Sequence, residues 1–214
     1  MRLVELFKNI ENYVDKEIEV NGWIRSHRKQ AHFGFIDFSD GTCFKHLQIV
    51  YTNSLPTFED ITKLHIGSAI KVIGTLVKSE GAGQDYELKA QAVTLLGDCT
   101  EDYPLQAKGR PTREYLREIA YLRPRTNLFQ ATFRIRSVAA HAIHTYFQDR
   151  NYLYVHTPLI TTTDCEGSDQ MFKITTFDLN DVPKIDGKVD YKKDLFGKKA
   201  YVTGTGQLHG EAFA

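Results

Sequence analysis

The chain has 214 residues, 42% hydrophobic and 25% charged, with 27 Lys and Arg balanced by 27 Asp and Glu. This is ordinary folded-protein usage, with length for one large or two small domains and enough chain to bury roughly 70% of its unfolded surface. The even charge excludes a bulk basic pull on nucleic acid, so any RNA contact must come from a local patch. The charged start Met1–Leu6 is no signal peptide, and no apolar run reaches membrane-spanning length, so cytoplasmic residence is the expectation. Cys43, Cys99 and Cys165 are widely spaced, odd in number and without a C-x-x-C pair, and read as free thiols.

Residues 16–97 read as short strands. Lys16 to Ser26 alternates through Ile18, Val20 and Ile24, and Phe33–Phe38 and Cys43–Tyr51 follow across Ser39-Asp40-Gly41, an Asp-Gly hairpin signal. Phe58–Leu64 suits a short helix, Ala69–Val77 alternates again, and Glu80-Gly81-Ala82-Gly83 turns into Tyr86–Leu96. Five strands with a helix between the third and fourth is the order of an OB-fold barrel, with a generic small β-barrel as the alternative on strand order alone.

Residues 103–125 carry Pro104, Gly109, Pro111 and Pro124 and five arginines, and read as an ordered hinge enclosing a short helix, Thr112–Ala120. Asn127–Asp149 then places Leu128, Ala131, Ile135, Val138, Ala139, Ala142, Ile143 and Tyr146 at three- and four-residue steps, one apolar stripe of a helix N-capped by Thr126. Phe129, Phe133 and Phe147 lie off that stripe and fill either a wide core face or a second buried surface.

Three constellations invite a functional reading. The first is Gly22-Trp23-Ile24-Arg25-Ser26-His27-Arg28-Lys29, Phe35-Ile36-Asp37 and His46-Leu47-Gln48. An aromatic, a cation and an amide on neighbouring strands can stack an unpaired base, meet a phosphate and bond a base edge; alternatively Phe35 is core and Arg28 a solvated cation. The second is Thr161 to Phe172, where a carboxylate on a glycine-containing loop suits an ammonium ligand or is simply solvated. The third is Tyr201-Val202-Thr203-Gly204-Thr205-Gly206-Gln207-Leu208-His209-Gly210-Glu211, a β-rich run entering a glycine-loaded turn and a helix. His141 and His144 lack a third ligand and read as no metal site, and Gly81-Ala82-Gly83 lacks the pattern of a phosphate loop.

Taken together these stretches resemble the asparaginyl-tRNA synthetases among the class IIb aminoacyl-tRNA synthetases. Leu122 to Thr126, the long helix and an extended Tyr152–Ile160 look like motif 1. Glu166-Gly167-Ser168-Asp169-Gln170-Met171-Phe172 looks like the amino-acid-binding loop, and the Gly-Trp-Ile and Phe-Ile-Asp runs like the anticodon-binding domain. The resemblance implies an α+β chain: an OB-fold barrel over 1–103, a hinge over 104–125, and over 126–214 the start of a class II antiparallel-sheet catalytic domain. It assigns Phe35 to stacking and Arg28 and Gln48 to reading the central anticodon uridine. It assigns Glu166 and Gln207 to the amine end of the amino acid, Glu211 to its side-chain amide, and Phe129, Phe133 and Pro158 to a homodimer interface.

Where aspartyl relatives carry a lysine for the substrate carboxylate this chain has Gly210, which suits a carboxamide and disfavours the aspartyl alternative. Gly204 and Thr205 depart from the family's usual Val and Ser, and residues 178–199 resemble an insertion of the asparaginyl group. The family activates asparagine with ATP and Mg2+ and transfers it to tRNA-Asn, using arginines of motifs 2 and 3 that do not precede Ala214. The expectation is therefore a chain with no catalytic residue or bound cofactor of its own, inactive alone; a non-catalytic tRNA-binding or dimerisation module is the alternative.

Overall fold

A computed structural model describes residues 1–81, 83–106, 111–163, 167 and 171–214. The chain divides into two compact units, Met1–Val138 and Ala139–Ala214. The first begins with α1 (Leu3–Lys8) and then β1 (Glu17–Lys29), β2 (Phe33–Ser39), β3 (Leu47–Thr52), α2 (Phe58–Lys63), β4 (Ala69–Lys78) and β5 (Tyr86–Gly97). The five strands close into a barrel in the order β1-β2-β3-β5-β4, with β3 and β5 parallel and the other pairs antiparallel. Closure leaves no free strand edge.

Period-two alternation fills the barrel. Ile18, Val20 and Ile24 of β1, Ile36 and Phe38 of β2, Leu47, Ile49 and Tyr51 of β3, Ile70, Val72 and Leu76 of β4 and Leu88 of β5 all point inward and are buried. Helices α1 and α2 add Leu3, Leu6, Phe58 and Ile61 to this core. Gly34 is obligatory, because a Cβ there would stand 2.2 Å from the Tyr51 hydroxyl.

A bulge in β1 changes which residues face out. Ile24 pairs with Phe38 but Ser26 pairs with Asp37, so Arg25 is the extra residue. The phase of alternation reverses there: His27 turns inward, opposite Ile36, while Ser26 and Arg28 turn outward, opposite Asp37 and Phe35.

Three local expectations are corrected. The Asp40-Gly41 pair is no tight hairpin turn, since β3 starts at Leu47 rather than at Cys43. Instead Asp40 is recruited by the chain start: its Oδ2 accepts from Leu3 N at 2.7 Å while Oδ1 accepts from Thr42 N at 3.0 Å. Thr42 Oγ1 in turn accepts from Val4 N at 3.1 Å, so a distant loop caps the N-terminus of α1.

Past the barrel the expected helix at 112–120 contracts to α3 (Tyr115–Glu118), because Ile119, at φ −98° and ψ 47°, has left helical geometry. Helix α4 (Asn127–Gln148) is present as expected. Thr126 is extended before it, and its Oγ1 accepts from Phe129 N at 3.5 Å, a long N-cap bond. No residue of α4 is buried. The apolar stripe stands open, with Ile135, Val138 and Ile143 at 68%, 69% and 60% exposure.

In the second unit β6 (Ile160–Thr161) and β7 (Lys173–Ile174) flank β10 (Ala200–Val202), both antiparallel to it. The extended segment expected over 152–160 joins a sheet only at Ile160, which pairs with Val202. Between β7 and β10, β8 (Lys184–Ile185) and β9 (Lys188–Val189) form a hairpin across Asp186-Gly187, whose φ values of 51° and 77° are both positive, as a type I′ turn needs. Asp194 anchors this insertion: its Oδ1 accepts from Thr176 N, Thr176 Oγ1 and Leu195 N at 3.0, 2.9 and 2.9 Å. The backbone N–H of Thr176 is the leading cause holding this carboxyl down at about 2. β10 leads through a glycine turn into α5 (Gln207–Phe213).

Candidate functional site

The outward faces of β1, β2 and β3 build a polar cleft of about 360 Å³ lined by Arg28, Phe35 and Gln48 together with Ser26, Asp37, His46 and Gln84. Strand register explains the gathering. One cross-strand row is Arg28, Phe35, Val50; the next, two residues along, is Ser26, Asp37, Gln48, Glu87. Arg28 reaches its place only because of the Arg25 bulge.

Within the cleft the Arg28 guanidinium lies over the Phe35 ring, 4.9 Å from its centroid, and Phe35 meets Phe33 edge-on at 5.4 Å. Arg28 Nη2 donates to Gln48 Oε1 at 3.3 Å, and Gln48 Nε2 donates to Glu87 Oε2 at 3.2 Å. The Gln48 amide is thus oriented from both ends. Glu87 also accepts from Ser79 Oγ at 3.0 Å, and Ser79 in turn accepts from Gln84 Nε2 at 3.0 Å. An exposed cation, a half-buried ring and an oriented amide on one face can stack an unpaired base and bond its edge.

The three residues assigned from the resemblance therefore stand together. Glu87, Asp37 and His46 were given no role from sequence. Asp37 and His46 were within reach of it, since each lies two residues from an assigned neighbour, Phe35 and Gln48; Glu87 needed the parallel β3–β5 pairing.

In the second unit Gln207 and Glu211, one turn apart on α5, are joined by a bond from Gln207 Nε2 to Glu211 Oε1 at 3.2 Å. The turn before them is tight: Thr203 Oγ1 donates to Thr205 O at 2.6 Å, Thr205 Oγ1 accepts from Gln207 N at 3.2 Å, and a Cβ on Gly206 would lie 2.7 Å from Thr157 Oγ1. A Cβ on Gly210 would meet open space, so room does not require a glycine there. Glu166 lies outside the described residues.

Of the residues assigned to a dimer interface, Phe133 and Pro158 are exposed, while Phe129 is half-buried under the Arg123 guanidinium at 5.0 Å. Among the described residues no group of three or more His, Cys, Asp or Glu side chains is gathered as a metal site. No helix among them is long and apolar enough to cross a membrane.

Comparison with known proteins bears on the domains and the fold. Residues 18–96 match the family model of the OB-fold nucleic acid binding domain, and residues 112–185 that of class II tRNA synthetases (D, K and N). The chain is 50% identical over 211 residues to an asparagine–tRNA ligase of Acholeplasma laidlawii and 53% identical over 211 residues to one of Acetivibrio thermocellus, covering 98% of this chain and 45% of each relative. It thus spans somewhat under half the length of the curated relatives it matches. In fold it is similar to the asparaginyl-tRNA synthetase of Pyrococcus horikoshii complexed with asparaginyl-adenylate, with a TM-score of 0.75 at 21% identity over 94% of this chain and 42% of that one. The chain thus carries an OB-fold nucleic acid binding domain and part of a class II tRNA synthetase domain of the D, K and N group, and over nearly its whole length it is similar to a portion of asparagine–tRNA ligases.

Proposed function

We propose that this chain is the tRNA-recognising portion of an asparagine–tRNA ligase that uses ATP to activate asparagine and esterify tRNA-Asn. Residues 1–103 bind the anticodon, 104–125 form a hinge, and 126–214 contribute part of the amino-acid pocket and a homodimer interface. The observation that carries the reading is the convergence of Arg28, Phe35 and Gln48 on one cleft of the barrel's outer face. Phe35 stacks the central anticodon base beside the Arg28 cation. Gln48, its amide held between Arg28 and Glu87, presents hydrogen-bonding groups of fixed sense to the base edge.

In the second unit Gln207 and Glu166 take the amine end of asparagine and Glu211 accepts from its carboxamide NH2. Gly210 leaves no cation for a second carboxylate, which favours asparagine over aspartate. Phe129, Phe133 and Pro158 form part of the surface that meets a second copy; the open apolar stripe of α4 supports a covering surface on this helix, and Phe133 and Pro158 are exposed. The complete ligase works in the cytoplasm with ATP and Mg2+.

The test is binding of an RNA hairpin bearing the asparagine anticodon to this chain by fluorescence anisotropy. Phe35→Ala should weaken it by about 1–3 kcal/mol, the usual worth of a base stacked on an aromatic ring. Equal affinity of the two proteins would sink the stacking role.

A further inference from the structure

Asp37, in the second cross-strand row, and His46, just before β3, form a pair in the cleft that stacking and central-base reading leave unused. His46 Nδ1 lies 3.0 Å from both carboxylate oxygens of Asp37. The side chains differ in exposure, 17% for His46 and 40% for Asp37, and both line the cleft. The carboxylate accepts from Nδ1–H, which orients the ring, and Nε2 has no partner. Each Asp37 oxygen keeps a second lone pair for a ligand.

A fixed carboxylate repels phosphate, so this part of the cleft is built for a base and not for the backbone. It requires a base with N–H donors. Asp37 stands two residues along β2 from Phe35 on the same face, about 7 Å from the stacking position. It therefore faces whatever lies next to the stacked base.

We propose that Asp37, held in place by His46, is a specificity-determining residue that reads the nucleotide flanking the stacked base through that base's N–H donors. Guanine fits best, because its N1–H and N2–H groups lie side by side and match two carboxylate oxygens. His46 is a positioning residue: it aims the carboxylate and touches no base. The proposal rests on the anticodon-binding reading.

The experiment measures binding of the chain to RNA hairpins that carry guanine, inosine or adenine at each loop position flanking the central uridine. The intact chain should prefer guanine to inosine, which lacks the N2 amine, by about tenfold at one of the two positions. Asp37→Asn should abolish that preference while uridine-dependent binding persists. His46→Phe, which has no donor, should abolish it too, whereas His46→Asn, whose amide can replace the Nδ1–H, should restore it; a merely structural histidine would not give this pattern. Circular dichroism melts establish that each variant is folded. If Asp37→Asn keeps the intact chain's ratios while Phe35→Ala weakens all the hairpins, the inference is overturned and the anticodon reading stands. If the intact chain binds none of the hairpins, both are overturned.

Discussion

The barrel and helix α4 solve the same problem, what to do with apolar side chains, in opposite ways. The barrel turns Ile36, Phe38, Leu47, Ile49 and Leu88 inward to 0% exposure and closes its own edges. Helix α4 displays a comparable set, Leu128, Ile135, Val138, Ile143 and Tyr146, with none of them buried. Burying one such side chain is worth about 1.5–3 kcal/mol, so the barrel has its stabilisation in hand while α4 has most of its own still to gain from a covering surface. A self-sufficient domain can present a functional face to a partner without unfolding risk. An uncovered helix ties its own stability to whatever docks on it.

Equal truncation on the two sides is the strongest way to break this contrast. Ile49→Ala in the barrel should cost about 2–5 kcal/mol through lost burial and the cavity left behind. Ile143→Ala on α4 should stay within about 0.5 kcal/mol in the isolated chain. Trp23 is the sequence's only tryptophan and sits on β1, so its fluorescence in a urea titration follows the barrel. A shift of that transition by Ile143→Ala as large as that by Ile49→Ala would mean that α4 is part of the same buried unit in solution.

Much of this architecture was legible in the chain, for identifiable reasons. Alternating side chains announced β1 and β4, and β-rich runs bounded by turn signals the other three strands. What escaped was where the alternation breaks. Nothing about Arg25 marks it as a bulge, yet the bulge decides that Arg28 faces the cleft and His27 the core. The Asp40-Gly41 pair misled because its carboxylate serves α1 across the fold, a tertiary demand invisible to local turn rules. The α4 stripe identified a helix but not its cover, because periodicity reports that a face is apolar and says nothing of what meets it. At the site, Arg28, Phe35 and Gln48 were assigned through family resemblance. Glu87 needed the parallel β3–β5 pairing, which no short-range pattern encodes.

The long-range cap sharpens the contrast at intermediate size. Asp40→Ala frees Leu3 N at the start of α1, and loss of an N-cap acceptor costs about 0.5–2 kcal/mol. Because α1 inserts Leu3 and Leu6 into the core, the loss should lower the Trp23-reported midpoint of the whole barrel rather than fray one end. Asp40→Asn should recover part of it. Loss of α1 signal in hydrogen exchange with an unchanged barrel midpoint would show instead that α1 is a detachable appendage.

The smallest expected effect comes from pH and again separates the two sides, because the group concerned faces the barrel interior. In the neutral ring His27 Nδ1 donates to Leu64 O at 3.1 Å and Nε2 accepts from the Tyr51 hydroxyl at 2.7 Å, so the uncharged form satisfies both partners. Burial pushes this imidazole below its ordinary value of 6.5 and raises the Tyr51 phenol to about 12. For a base with a lowered folded value, the unfolded chain takes up the proton first. The stability His27 contributes is therefore present above 6.5 and is lost as the pH falls from there toward the folded value. Other groups titrate over the same range, so the readout is a difference: the loss of barrel stability between about pH 7.5 and about pH 5 should be smaller in His27→Gln than in the intact chain. His27→Gln should also be the less stable protein at the higher pH, having lost a fitted ring. An identical fall in both proteins would mean that the ring is protonated as easily in the barrel as outside it, and that the Tyr51 bond is dispensable.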